Sequence, residues 1–170
     1  MKKFWIIAVL GVALAGCGQK ATSSSSASSK PKTVITTKQY TTTQLQKRYV
    51  KIVDAVVDPL NLASYSKPTA EIKQAATKSQ QQIADVQLQL ADNSGQPELN
   101  RALQKLSQAA KAMLTAMVGK DQTAYNATAK TFMTQTNTIA KTYFNGSVPS
   151  TLTIYSQRMA NKSSNSTSSN

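Results

Sequence analysis

Apolar residues recur at steps of three and four through most of residues 42–143, and this period constrains the fold more than any other feature of the chain. Such steps place the residues on one face of a helix, whereas a half-buried strand would alternate at every second residue. The recurring positions are Leu45, Tyr49, Ile52, Val56 and Leu60, then Ile72, Ala76, Ser79, Ile83, Val86 and Leu90, then Leu99, Leu103, Leu106, Ala110, Met113 and Met117, and finally Tyr125, Thr128, Phe132, Thr136, Ile139 and Tyr143. The sequence therefore predicts an all-α protein built on four amphipathic helices.

Residues that favour helix starts precede each of the four stretches. Thr41–Thr43 offer an N-cap to the first helix, and Ser66–Pro68 open the second. The third opens at Pro97 and Glu98, where proline fixes φ and the carboxylate faces the positive end of the helix dipole. Asp121 is the predicted N-cap of the fourth helix.

Helix ends are predicted from glycine, asparagine and proline. Asp92–Gly95 should end the second helix, Gly119 the third and Asn145–Gly146 the fourth, because asparagine and glycine accept the left-handed conformation found at many helix ends. Pro59 has no amide proton and clashes with the preceding turn, so we expect a kink or break near Asp58.

Four helices joined by short turns favour an up-and-down bundle in which consecutive helices are antiparallel neighbours. The alternative is a three-helix bundle with the stretch before Pro59 packed outside it or at one end. Residues 150–160 contain enough apolar side chains, Leu152 and Ile154 among them, for a short docked segment or helix.

The N-terminus has the three parts of a secretory signal. Lys2 and Lys3 precede an apolar run over residues 4–15, and small residues close it. The run is shorter than the roughly 20 apolar residues that a membrane-spanning helix needs. A buried core helix would not carry two lysines at one end and the only cysteine of the chain at the other. Residues 1–16 are therefore predicted to be a cleaved signal peptide.

Leu14, Ala15 and Gly16 stand immediately before Cys17. This run resembles the lipobox of bacterial lipoproteins of the Gram-positive type. The resemblance implies cleavage between Gly16 and Cys17, a diacylglycerol with palmitate-like chains on the Cys17 sulfur, and a location on the extracytoplasmic face of the cell membrane. Cys17 would then be a lipid carrier, and no thiol would remain for a disulfide or a metal.

Two segments flank the predicted bundle at residues 40–160. Residues 17–39 include the serine tract Ser23–Ser29 and four lysines, and with almost nothing apolar to bury they are predicted to be a disordered linker. Residues 161–170 return to serine and asparagine and are predicted to be a loose tail.

The charge of the chain is strongly positive. Without the signal peptide, 18 basic residues stand against 7 acidic ones. Outside a membrane, a basic surface faces anionic lipid head groups and anionic wall polymers; the alternative reading of this charge is solubility alone. Lys47, Arg48 and Lys51 form the densest basic cluster of the folded part and are the candidate polyanion-binding residues, with an ordinary polar helix face as the alternative. The predicted compartment argues against nucleic acid as a partner.

Catalytic chemistry finds little support in the sequence. The chain has no histidine, the commonest general base and metal ligand. Asp54 and Asp58 are the only carboxylates four residues apart on one helix face, and nothing near them would separate their pKa values as acid–base catalysis requires. No phosphate-binding glycine loop or serine-nucleophile motif is present. We expect no enzyme activity, no metal and no cofactor.

The sequence thus predicts a lipid-anchored envelope protein that binds an anionic wall polymer or another envelope protein without catalysis. The alternative is a small-ligand carrier or enzyme that uses a cavity between helices, which would require a pocket with converging polar groups.

Overall fold

The structure is a computed structural model that describes residues 38–167. Over this range the chain forms five helices: α1 (Thr42–Ser64), α2 (Thr69–Ala91), α3 (Pro97–Gly119), α4 (Gln122–Tyr143) and α5 (Ser150–Thr167). The only strand-like pairing within it is an isolated parallel bridge between Lys38 and Asn93. The predicted all-α class is confirmed, and the segment after Pro149 adds a fifth helix to the predicted four.

The helices form a bundle in which α1 contacts α2, α2 contacts α3 and α3 contacts α4. The loops between helices are between two and six residues long, which makes consecutive helices antiparallel. Helix α1 also contacts α3 and α5. Thr151 on α5 donates a hydrogen bond to Asp54, and Arg158 further along α5 donates one to Asn61, so α5 runs parallel to α1.

Helix α1 lies at the centre of the core. Every α1 position that was predicted to face the bundle interior is buried, from Leu45 and Ile52 at 0 % exposed to Leu60 at 6 %. Val53, Ala55 and Val57 are buried as well, so this helix is covered on more than one side. The three-helix alternative, with α1 packed outside, is therefore wrong.

No break occurs at Pro59, and α1 continues to Ser64. The missing amide of a proline inside a helix costs about 3 kcal/mol. The side chains that flank Pro59 in the sequence, Val56, Val57 and Leu60, are buried. Burial of each such side chain contributes roughly 1.5–3 kcal/mol to stability. Packing of the side chains around Pro59 therefore outweighs the lost hydrogen bond. Of the two expected outcomes, the break was wrong, and the kink stays a prediction.

The turns between helices place residues other than glycine in the left-handed region. Asn145 and Gly146 both have positive φ at the end of α4, as predicted. After α2, however, the left-handed residue is Gln96 (φ 49°), and after α3 it is Lys120 (φ 59°), so Gly119 is the last residue of its helix. The next helix begins one residue after Gln96 and two residues after Lys120. The start of that helix therefore fixes which residue adopts the left-handed conformation.

The segment before α1 is held against the α2–α3 loop. The Lys38 amide donates to the Asp92 carbonyl at 3.1 Å, and the Ser94 amide donates to the Lys38 carbonyl at 2.9 Å. Asn93 accepts from the Tyr40 amide at 2.7 Å, and its side-chain amide donates to the Gly95 carbonyl. We call this the proximal end of the bundle. Lys38, which lies inside the predicted linker 17–39, thus packs on the helical bundle.

The C-terminal helix is longer than predicted. Helix α5 continues to Thr167, so the predicted loose tail from Asn161 is helical over 161–167. Arg158 and Lys162 hold it on α1 by donating to Asn61 and to the Ser64 carbonyl at the negative end of the α1 dipole. Residues 1–37 and 168–170, which include the signal peptide and nearly all of the linker, lie outside the described residues.

A buried tyrosine links α1 to α4. The Tyr49 hydroxyl donates to the Thr136 carbonyl at 3.1 Å, and its ring lies 5.1 Å from that of Phe144. Tyr49 is 1 % exposed, and burial raises its pKa to about 12. Ionisation would leave a charge in the core beside a carbonyl oxygen and would remove the proton that makes the hydrogen bond.

The close approach of Gly95 to the backbone of Gln39 and Tyr40 leads to a testable prediction. A Cβ at Gly95 would lie 2.9 Å from the Tyr40 carbonyl oxygen and 3.0 Å from the Tyr40 amide nitrogen, both backbone atoms that cannot move alone. We expect Gly95→Ala to lower the free energy of unfolding by about 1–3 kcal/mol in urea. Gly119→Ala is the control, because nothing lies within 4 Å of its added Cβ. Its free energy of unfolding should rise by up to about 1 kcal/mol, since alanine favours the helix more than glycine does. Equal changes in the two variants would contradict the contact.

The raised pKa of Tyr49 leads us to expect a loss of stability at alkaline pH. The unfolded phenol ionises near its ordinary value of 10.0, whereas the folded one ionises near 12. Above pH 10 the unfolded state loses a proton that the folded state keeps, so the free energy of unfolding should fall between pH 10 and 12, by on the order of 2–3 kcal/mol. Tyr49→Phe should be less stable than the wild type at pH 8, by about 1 kcal/mol for the lost hydrogen bond, and should lose less on going to pH 12. Parallel urea midpoints across this range would contradict the assignment.

Candidate functional site

A cleft of about 450 Å³ opens at the end of the bundle opposite Lys38. It lies where α1 and α3 end and α4 begins, with α5 as its remaining wall. The 23 residues of α1 separate it from the proximal end by about 35 Å. We call it the distal cleft. Its lining residues are Leu60, Ala63, Ser64, Ala116, Met117, Lys120, Asp121, Gln122, Tyr125, Tyr155 and Met159.

Two tyrosines, Tyr125 and Tyr155, line the distal cleft. Burial raises the pKa of Tyr125, and the nearby Tyr155 raises it further. Burial also raises the pKa of Tyr155, while the Arg158 guanidinium partly opposes that shift. Both phenols therefore stay protonated at neutral pH, so each can donate a hydrogen bond to a molecule in the cleft.

The charged groups near the distal cleft are mostly cationic. The Asp121 carboxylate accepts from the Ala124 amide at 2.9 Å and so is used as the N-cap of α4, as predicted. Lys120 lines the cleft, and its backbone is held in the left-handed turn. Arg158 donates to the Tyr65 hydroxyl at 2.6 Å and lies over the Tyr65 ring, with 4.6 Å to the centroid. The cleft thus combines apolar side chains, two phenol donors, Lys120 and the engaged Asp121 in its lining, with Arg158 close to Tyr155.

The predicted basic cluster does not act as one patch. The Arg48 guanidinium stacks on the Tyr40 ring at 3.5 Å and donates to the Gln44 carbonyl at 2.8 Å. Arg48 therefore holds the segment before α1. Lys47 and Lys51, one turn apart, are exposed on the same helix. Two of the three predicted residues remain accessible to a polyanion.

The carboxylate pair of α1 is also divided. Asp54 is half-buried and accepts a hydrogen bond from the Thr151 hydroxyl of α5, whereas Asp58 is exposed. Asp54 thus helps to dock α5. Within residues 38–167, no three acidic, cysteine or histidine side chains come together in a way that would hold a metal ion.

The predicted lipidation residue Cys17 and the residues before it, Leu14, Ala15 and Gly16, lie outside the described residues. Among the helices that the structure does describe, none has both the length and the hydropathy that crossing a membrane requires.

Comparison with known proteins gives no relative from which to transfer a role. No protein-family model matches the chain. The curated proteins and the solved structures give no match either. The functional reading therefore depends on the sequence and the structure of this chain.

Sequence reasoning did not locate the distal cleft. Tyr125 was predicted as a core position of α4, and Tyr155 was placed only in a docked segment; both are half-buried at the cleft. A signal was present in the small residues Ala63 and Ala116 near the ends of α1 and α3. Small side chains that meet at one end of a bundle leave space, but which ones meet depends on the packing.

Proposed function

We propose that this chain is a lipid-anchored extracytoplasmic protein that binds anionic wall polymer or another envelope protein through its helical bundle, without catalysis. The observation that carries the proposal is the lipobox-like run before Cys17, the only cysteine of the chain. Two acyl chains on that sulfur would give stable attachment, where one chain is marginal. The membrane is thus the first partner, through diacylglyceryl-Cys17.

The proximal end supports this arrangement. The linker after Cys17 joins the bundle at Lys38, where backbone hydrogen bonds with Asp92 and Ser94 fix it to the α2–α3 loop. Arg48 stacks on Tyr40 just after this point. These contacts are at the proximal end, and the distal cleft lies at the other end of the bundle.

A non-enzymatic role is supported by the distribution of ionisable groups. The chain has no histidine. Asp54 is engaged by Thr151 and Asp121 caps α4, so each serves a structural contact. A binding role needs only shape and charge, both of which the bundle surface offers.

The anchor is tested by mass spectrometry of the protein from its native membrane and by labelling cells with an alkyne analogue of palmitate. We expect a mature chain that begins at a diacylated Cys17 and therefore lacks Trp5. Cys17→Ser should abolish the label, whereas Ser29→Ala in the linker should retain it. A mature chain that retains Trp5, or an unmodified Cys17, would contradict the proposal.

The distal cleft favours a second candidate function, the carriage of a small ligand. Its apolar lining residues Leu60, Ala63 and Met117 suit an apolar body. Lys120 and the two phenols suit an anionic end, since the Asp121 carboxylate is engaged as the α4 N-cap. Clefts of this size are within the range of about 300–1,000 Å³ that small-molecule sites occupy. The ligand class is therefore a small anionic amphiphile.

The carrier role predicts a response to filling the cleft. The probe is 1-anilinonaphthalene-8-sulfonate, which has an apolar body and an anionic group. Ala63→Leu should weaken its binding at least fivefold, because the added methyl groups occupy space in the cleft. Ala70→Leu, at an exposed position on α2, is the matched control and should bind as the wild type does. Equal fluorescence titrations for all three proteins would remove this candidate.

A further inference from the structure

A second, shallower groove of about 180 Å³ runs between α3 and α4, away from the distal cleft. It is lined by Ala102 and Lys105 of α3 and by Thr134, Gln135, Thr138 and Ile139 of α4. The lining of this α3–α4 groove contains no aromatic side chain. Its two walls come from the pair of helices with the most extensive mutual packing.

Cations follow both walls of the α3–α4 groove. Arg101 lies one helical turn before Lys105, so both project from the same side of α3. On α4, Lys130 lies one turn before Thr134 and Lys141 three residues after Thr138, so both continue the stripe that lines the groove. All four side chains are exposed.

Little negative charge opposes these four cations. The only carboxylate within α3 and α4 is Glu98, in the first turn of α3 at one end of the groove. By contrast, Lys47 and Lys51 share α1 with Asp54 and Asp58, and α2 carries Glu71 and Asp85 beside its lysines. The α3–α4 groove is therefore the more strongly positive surface.

The groove also offers groups that bind hydroxyls. The Gln135 carboxamide oxygen is buried beneath the groove and has no hydrogen-bond partner among the described residues. Thr134 and Thr138 add two exposed hydroxyl side chains. Because Gln135 lines the groove, rotation of its carboxamide would bring this oxygen to the surface, where it could accept from a hydroxyl group of a ligand. A fully ionised phosphate has no such donor.

We propose that the α3–α4 groove binds a hydroxylated polyanion, namely a polymer of polyol units joined by phosphodiesters. This inference rests on the proposed envelope function and names the partner and the surface within it. Lys130 and Lys141 are separated by about 16 Å along α4, so a polymer would meet several cations where a small anion would meet one. Multiple contacts of this kind bind through release of counterions and need no deep pocket.

The surface fits a polymer better than an acidic protein or a nucleic acid. Protein interfaces depend on buried aromatic or arginine anchors in pockets, and single-stranded nucleic acids stack on aromatic side chains. The α3–α4 groove has neither feature among its lining residues. Spaced cations beside hydroxyl and carboxamide groups are what an anionic polyol requires.

The test uses the full-length chain carrying Cys17→Ser in nonionic detergent, so that binding is measured whether or not the native protein is lipidated. The probe is a synthetic oligo(glycerol phosphate) of ten units. Its binding affinity is measured by calorimetry at 50 and 300 mM NaCl. Arg101→Gln/Lys105→Gln should weaken binding at least tenfold at 50 mM NaCl and should reduce the slope of log affinity against log salt by about two. The matched control, Lys73→Gln/Lys78→Gln on α2, should change the affinity less than threefold.

Further arms separate the other occupants of this surface. Binding of deca-glutamate as tight as that of the oligo(glycerol phosphate) would indicate an acidic protein partner and overturn the inference. Equal losses in the two double variants, or a larger loss in Lys47→Gln/Lys51→Gln, would overturn the assignment to the α3–α4 groove. Gln135→Met should weaken the binding of the oligo(glycerol phosphate) more than the binding of linear polyphosphate, which has no hydroxyl groups along its chain. An equal loss of affinity for both polymers would contradict recognition of the polyol. None of these outcomes depends on acylation of Cys17, so failure of the anchor and failure of the groove are distinguishable.

Discussion

Burial of helix α1 is the interaction on which the rest of this structure depends. Its apolar side chains contact α2, α3 and α5, and the buried positions surround more of the helix than one stripe. This packing carries α1 through Pro59, since the buried side chains on either side contribute more than the lost hydrogen bond costs. It also brings Tyr49 to α4, where a single buried hydrogen bond with the Thr136 carbonyl joins the first helix to the fourth.

The two ends of the bundle differ in how closely their residues pack. At the proximal end, Asn93 uses its side chain to hold both Tyr40 and Gly95, and little space remains there. At the distal end, small residues at the ends of α1 and α3 leave a cleft that α5 closes only in part. Helix α5 is held there largely by polar contacts, with Leu152 as its one fully buried apolar side chain among the described residues. The end that receives the linker is thus well packed, and the end with the cleft remains open to ligands.

Positive charge has several structural uses in this chain, and only part of it remains for partners. Arg48 stacks on Tyr40, and Arg158 and Lys162 neutralise the carbonyl end of α1. Arg101, Lys105 and Lys130 make no such contact with the described residues, and they lie beside a groove with few acids. A dense basic cluster in the sequence therefore need not form one surface patch, whereas packing of two helices brings together cations that are distant in the sequence.

The sequence by itself determined the helices and the residues that they bury, because a helix brings together residues three and four positions apart. That local pattern identified Leu45, Leu103 and Phe132 as core residues and Asp121 as a cap. Only the tertiary structure decided the left-handed role of Gln96 and Lys120, the length of α5, the use of Arg48 at the proximal end and the position of the distal cleft. The physical reason is separation along the chain: Tyr40 meets Asn93 across 53 residues, and Arg158 meets Asn61 across 97. Contacts of that range follow from how whole helices pack, which no local periodicity contains.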